Sequence, residues 1–144
     1  MEVVDRLDRL DPQQRPADLK ASVRAGELLI SDGGQEHSLP IPADRFYLSV
    51  APYLRQTHDC FYHAPTGCRG ELAGKQAHVK IVNDADGTVL VDESRTTFAN
   101  GFVGFWLPRD ITGILQITSD GKAAETKIST GEDAATCLTT LRLA

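Results

Sequence analysis

The spacing of apolar positions changes character near residue 22. Before that point Val3, Val4, Leu7 and Leu10 recur at three- and four-residue intervals, which predicts a short helix with one narrow apolar stripe. Pro12 and Pro16 interrupt the pattern, and a second short helical turn is expected around Ala17 to Leu19. So short a helix is marginal alone, so its stripe must pack either on the rest of the chain or on a second copy.

From Ser22 the period falls to two. Residues 22–23 and 27–30 read as strands, Asp32-Gly33-Gly34 as a hairpin turn, and 37–41 as the returning strand. Pro40 and Pro42 mark an edge or exit, because proline cannot donate to a ladder. Further strands are predicted at 46–50, 76–82, 88–91, 96–98, 102–107, 114–118, 122–129 and 137–143, with turns at 84–87, Asn100-Gly101, Pro108, 119–121 and Gly131. The pattern predicts a mainly β chain: an antiparallel β-sandwich, Ig-like or prealbumin-like, preceded by a short N-terminal helix and a β-hairpin arm. The expected division is a helix-and-hairpin segment over 1–45 and a sandwich over 46–144.

Alternation also places side chains. Ala77, Val79 and Ile81 share one face, which turns His78 and Lys80 to solvent. His37, in a polar arm, is expected to be exposed. In GFVGFWLPRD, Phe102 and Trp106 share one parity and Val103 and Phe105 the other, so both faces are apolar and an interior strand is expected.

Composition narrows the function. A hydrophobic fraction of 41% supports a core without help from metal or disulfides. The net charge of −5 argues against a nucleic-acid partner. No apolar run is long enough for a membrane span, and MEVVDRLDRLDPQQRP, charged throughout, is not expected to be a signal peptide. Walker, G-x-S-x-G and H-E-x-x-H motifs do not occur. The segment NDADG with Glu93 invites a calcium-loop reading, but the loop's first position falls on Val82, which has no side-chain oxygen. A hairpin turn is expected there.

The stretch from Thr57 to Cys68, THDCFYHAPTGC, carries two of the three cysteines and two of the four histidines. His58 and Cys60 project to one side of an extended chain, and a tight turn would bring Cys60 and His63 to one ion. Pro65, Thr66 and Gly67 can fold Cys68 back on the segment. Cys137, at the start of the last predicted strand, joins them if that strand pairs centrally. Thiolates are soft donors that favour copper(I) or zinc over calcium or magnesium; zinc would need a fourth ligand, available in His58 or His63. Spacing leaves three readings open: a structural disulfide, a metal site or a reactive thiol. Asp59 is a candidate partner for either histidine, or faces water. Phe61 and Tyr62 read as strand core, or as a shield over the site.

The blocks FYLSVAPY, QTHDCFYH, CRGELAG, TTFANGFVGFWLPRD and TGEDAATCLTTLRL resemble the CueP family of periplasmic copper-binding proteins, in order from about Phe46 to the C-terminus. The resemblance implies an exported protein, periplasmic or extracellular, holding copper(I) through Cys60, Cys68 and Cys137 for storage, tolerance or delivery. It places His58 and His63 in the matching motif. It also implies a homodimer formed through the N-terminal segment, and leaves room for an envelope thiol reductant or a copper-receiving partner. Zinc at the same site is an expectation from the donor set. The leading reading is a non-enzymatic binding protein. The alternatives are a thiol-dependent copper(II) reductase or thiol–disulfide protein using the same cysteines, with one pair among them oxidised, and a disulfide-stapled interaction module.

Overall fold

A computed structural model describes residues 2–144. Helix α1 (Glu2–Arg9) is followed by a single 3-10 turn (Pro12–Gln14) capped by the Asp11 side chain. The strands are β1 (Leu19–Val23), β2 (Glu27–Asp32), β3 (Gln35–Pro40), β4 (Arg45–Val50), β5 (Gln76–Asn83), β6 (Val89–Thr96), β7 (Val103–Pro108), β8 (Thr112–Ser119), β9 (Lys122–Ser129) and β10 (Cys137–Leu138). They form three sheets, ordered β1-β2-β3, β10-β4-β7 and β6-β5-β8-β9. No helix among the described residues is long and apolar enough to cross a membrane.

The second and third sheets make the sandwich. Phe46, Leu48 and Val50 of β4 and Val103, Phe105 and Leu107 of β7 meet Ala77, Val79 and Ile81 of β5 and Leu115 and Ile117 of β8 in one core. Alternation explains the selection, since each of these sets is a run of i, i+2 positions. The opposite face of β4 is also covered. Tyr47 packs with Val4 and Leu7 of α1 and with Ala21, Val23, Leu28 and Ile41 of the arm. The helical stripe therefore closes on its own chain, although Val3 stays exposed.

Several local expectations shift. The strands expected at 88–91 and 96–98 merge into one, β6, which runs through Glu93 because Val91 to Thr96 keep continuous register with β5, with one irregularity at Leu90. The segment from Ala17 turns directly into β1 instead of a helical turn, as the strand pairs with β2 over five residues. The last strand is short and runs parallel to β4, setting Cys137 opposite Ser49, with one further bridge between Tyr53 and Arg142. β7 buries both faces yet is the edge of its sheet; Trp106 turns away from the sandwich core and packs against Tyr47, the ring centres 4.8 Å apart and the planes tilted by 54°. The 83–88 segment is the expected turn, with Asn83 and Asp86 accepting from the backbone at Ala85 and Thr88. His37 and His78 are exposed, and His78 Nε2 lies 2.6 Å from Asp92.

Candidate metal centre

Between β4 and β5 the chain runs from Ala51 to Lys75 without a regular strand. Its middle is tied down from three sides. The amides of Gly67 and Cys68 both donate to the Ala64 carbonyl, at 2.9 and 2.8 Å, closing the turn that Pro65, Thr66 and Gly67 favour. The amides of Thr136 and Cys137 donate to the Phe61 carbonyl at 2.9 and 3.1 Å. Val23 of β1 donates to the His63 carbonyl at 2.7 Å, and the His63 amide donates to Thr136 Oγ1 at 2.9 Å. The arm, the loop and the final strand thus converge on one short segment.

The result is a cluster of donors. One ligand atom each from His58, Cys60, Cys68 and Cys137 lies within 4.8 Å of all the others. All three cysteines are free thiols, and the sulfurs of Cys60 and Cys68 are 3.5 Å apart, well beyond a bond length of about 2.05 Å. Donors bonded at about 2.3 Å to one ion would stand roughly 3.8 to 4.6 Å from each other, from tetrahedral to linear geometry, so shifts of a few tenths of an ångström would close this set on a single ion. Cys68 and Cys137 are buried with Ala51 and Phe102, while Cys60 is half-buried. His58 Nε2 is buried without a hydrogen-bond partner. An orphaned imidazole nitrogen beside three sulfurs is what a soft ion would satisfy.

Charge is unevenly shared among the sulfurs. Hydrogen bonds from Cys137 and Cys60, helped by His63, hold the Cys68 thiol far below its ordinary value despite burial. Cys60 gains from Cys137 but is pushed up to about 12 by its bond to Cys68 and by burial. Cys137 is pushed up by its hydrogen bonds to Cys60 and Cys68 and by burial. The Cys68 sulfur also receives the Ala64 amide at 3.4 Å, a further donor that favours negative charge there.

His63 stands apart from the ligand-atom cluster. Its Nδ1 is 3.8 Å from Cys137 Sγ, and its Nε2 is 2.6 Å from Oδ1 of Asp8 on α1. Burial works against its charge, but Asp8 and Cys68 together raise it to about 9. Asp8 is fully buried and also accepts from Tyr47 Oη at 2.5 Å, Ser49 Oγ at 3.0 Å and Asn100 Nδ2 at 2.8 Å. Burial raises the Asp8 carboxyl, yet these donors, His63 first, bring it below the ordinary aspartate range. Tyr47 is raised in turn, by burial and then by the Asp8 charge.

Asp59 is exposed; the carboxylate on His63 comes from 55 residues away in sequence. Phe61 is 52% exposed rather than core, edge-on to Tyr62, over which Arg24 stacks at 4.1 Å. Asp8, Tyr47, Ser49 and Asn100 escaped the sequence reading. Asp8 alone left a signal: it follows Val4 by four and Leu7 by one, so a carboxylate sits on the apolar stripe of the helix.

Comparison with known proteins adds an independent finding. The family described as "Periplasmic copper-binding protein CueP" matches residues 2–142. A crystal structure of S.CueP is 43% identical, superposes with a TM-score of 0.93, and covers 99% of this chain and 87% of its own. Comparison with curated proteins returned no match.

Proposed function

The chain belongs to the CueP family of periplasmic copper-binding proteins, and from that premise we propose that it holds one copper(I) ion through Cys60, Cys68 and Cys137, with His58 as a nitrogen donor. The observation that carries the reading is the gathering of three sulfurs and one nitrogen of the His58 ring within 4.8 Å, on a ring whose buried Nε2 has no hydrogen-bond partner. A sulfur-rich set favours copper(I); zinc is the competitor because one imidazole completes a four-donor site. On this reading the protein stores, buffers or delivers copper in the periplasm.

The test is titration of the reduced protein with copper(I) against a competing chelator. One-to-one binding is expected, and Cys68→Ser should weaken it by more than about tenfold, since a ligand is worth at least what outer partners contribute. Thermal stability should move much less. Equal loss of both would favour a structural staple.

The 3.5 Å approach of Cys60 to Cys68 also favours a redox reading. Two thiols closing to a disulfide release two protons and two electrons, enough to reduce two copper(II) ions to copper(I). Repeated turnover with copper(II) and an external thiol reductant would make this an enzyme; a simple binder shows none. Dimerisation is assigned to residues 1–45, where β3 offers a free sheet edge to a second copy, with 46–144 as the copper-binding part.

A further inference from the structure

We propose that Asp8 of helix α1 is a positioning residue for the metal centre, fixing the walls around Cys137 so that its sulfur meets those of Cys60 and Cys68. The inference rests on the copper-binding reading above.

A buried carboxylate is costly unless it is fully hydrogen-bonded, and Asp8 has four partners. Two of them, His63 and Ser49, sit directly beside Cys137, and the other two brace those neighbours. His63 is the first: a carboxylate only accepts, so Nε2 donates to Asp8 and Nδ1 is the end left facing Cys137 Sγ at 3.8 Å. Ser49, which donates to Asp8 Oδ2, is the residue directly opposite Cys137 in the β4–β10 ladder. Tyr47, two residues before Ser49 on the same face of β4, grips the same oxygen. Asn100 donates to Asp8 and accepts from the Phe102 amide at 2.9 Å; the Phe102 ring lies 4.6 Å from the His63 ring and in one cluster with Cys137.

The backbone of His63 is held as well, between Val23 and the Thr136 hydroxyl, next to Cys137. Remove the carboxylate and the imidazole loses its shortest contact, leaving only the longer one to sulfur at Nδ1, while Ser49 and Asn100 lose a common anchor. The helix is thereby part of the metal centre although it supplies no ligand. Outer partners of metal ligands are commonly worth about 10–100-fold in affinity.

The experiment compares copper(I) affinity in the full chain for Asp8→Ala, Asp8→Asn and a control, Leu48→Ala, which loses stability in the sandwich core instead. Asp8→Ala should bind copper(I) about 10–100-fold more weakly, with fewer sulfur neighbours by X-ray absorption. Asp8→Asn, which keeps an acceptor for His63 and a shape that reaches Tyr47 and Ser49, should stay within about threefold. Leu48→Ala should keep native affinity. Wild-type affinity in folded Asp8→Ala, or an equal fall in the Leu48 control, overturns the proposal. Should Asp8→Ala not fold, the wild-type protein carries the test: copper(I) should slow amide exchange in α1 together with residues 60–68, and an unaffected helix overturns it. A wild-type protein that binds no copper(I) instead removes the metal reading itself.

Discussion

Strand β4 buries both of its faces, and it does so by two kinds of chemistry. On one face Phe46, Leu48 and Val50 enter an apolar core built from both sheets of the sandwich. On the other, Tyr47 and Ser49 turn polar groups onto a buried carboxylate brought by a helix from the chain's start. The first face depends on volume and area, which many side chains supply. The second depends on donor and acceptor geometry, for which few substitutes exist. Gly104 shows the contrast: a Cβ there would stand 1.8 Å from Tyr47 Oη, so β7 leaves room for one phenol to reach Asp8. A sandwich is held by the first face; the site is aimed by the second.

The largest expected effect tests the apolar face. Phe46→Ala should cost about 3–5 kcal/mol of unfolding free energy in a urea titration. Its folded fraction should keep wild-type copper(I) affinity, and a fall in affinity would erase the division between the faces. Tyr47→Phe should cost less, about 1–3 kcal/mol, by leaving Asp8 Oδ2 short of one donor. Unlike Phe46→Ala, it should weaken copper(I) binding measurably in the same chelator competition.

His58→Ala separates ligand from scaffold. Removing a buried nitrogen that has no partner should change stability by only about 0.5 kcal/mol. Copper(I) affinity should drop all the same; a loss of melting temperature without loss of affinity would assign the ring to packing against Phe102.

The smallest effect lies at the mouth of the cleft beside His58, where the Glu71 carboxylate accepts from the amides of Leu54, Arg55 and Gln56 at 2.7, 3.1 and 3.0 Å. Those backbone donors hold it below the ordinary 4.5. A depressed carboxyl lends its stability above the unfolded value and loses it as pH falls through the folded one. The melting-temperature gap between wild type and Glu71→Gln should therefore be full near neutrality and shrink below about pH 4.5. A gap that does not vary with pH would remove the carboxylate's role in ordering residues 54–56.

Much of the fold was legible because alternation is local. The i, i+2 sets in β5 and the two-faced apolar pattern of β7 appear correctly in the sequence, and the turn after β5 is written in its Asn, Asp and Gly residues. The parallel pairing of β10 was not legible, since pairing direction depends on where the returning chain arrives. At the site, the three cysteines were visible as residue types, and their family resemblance as blocks of sequence. The partner of His63 was not: Asp59 faces water, one of the two readings left open for it, and the carboxylate on the ring is the distant Asp8.

By itself, then, the sequence determined the β character, the turn positions, the soft donor set and family membership, because each is carried by neighbouring residues or by ordered motifs. Only the tertiary structure decided that Cys137 reaches the other two sulfurs, that the His58 ring joins them, and that a helix carboxylate braces the far side. The carboxylate's contacts span from 39 to 92 residues of chain. The burial that makes them strong comes from packing three sheets and a helix together, not from any local pattern.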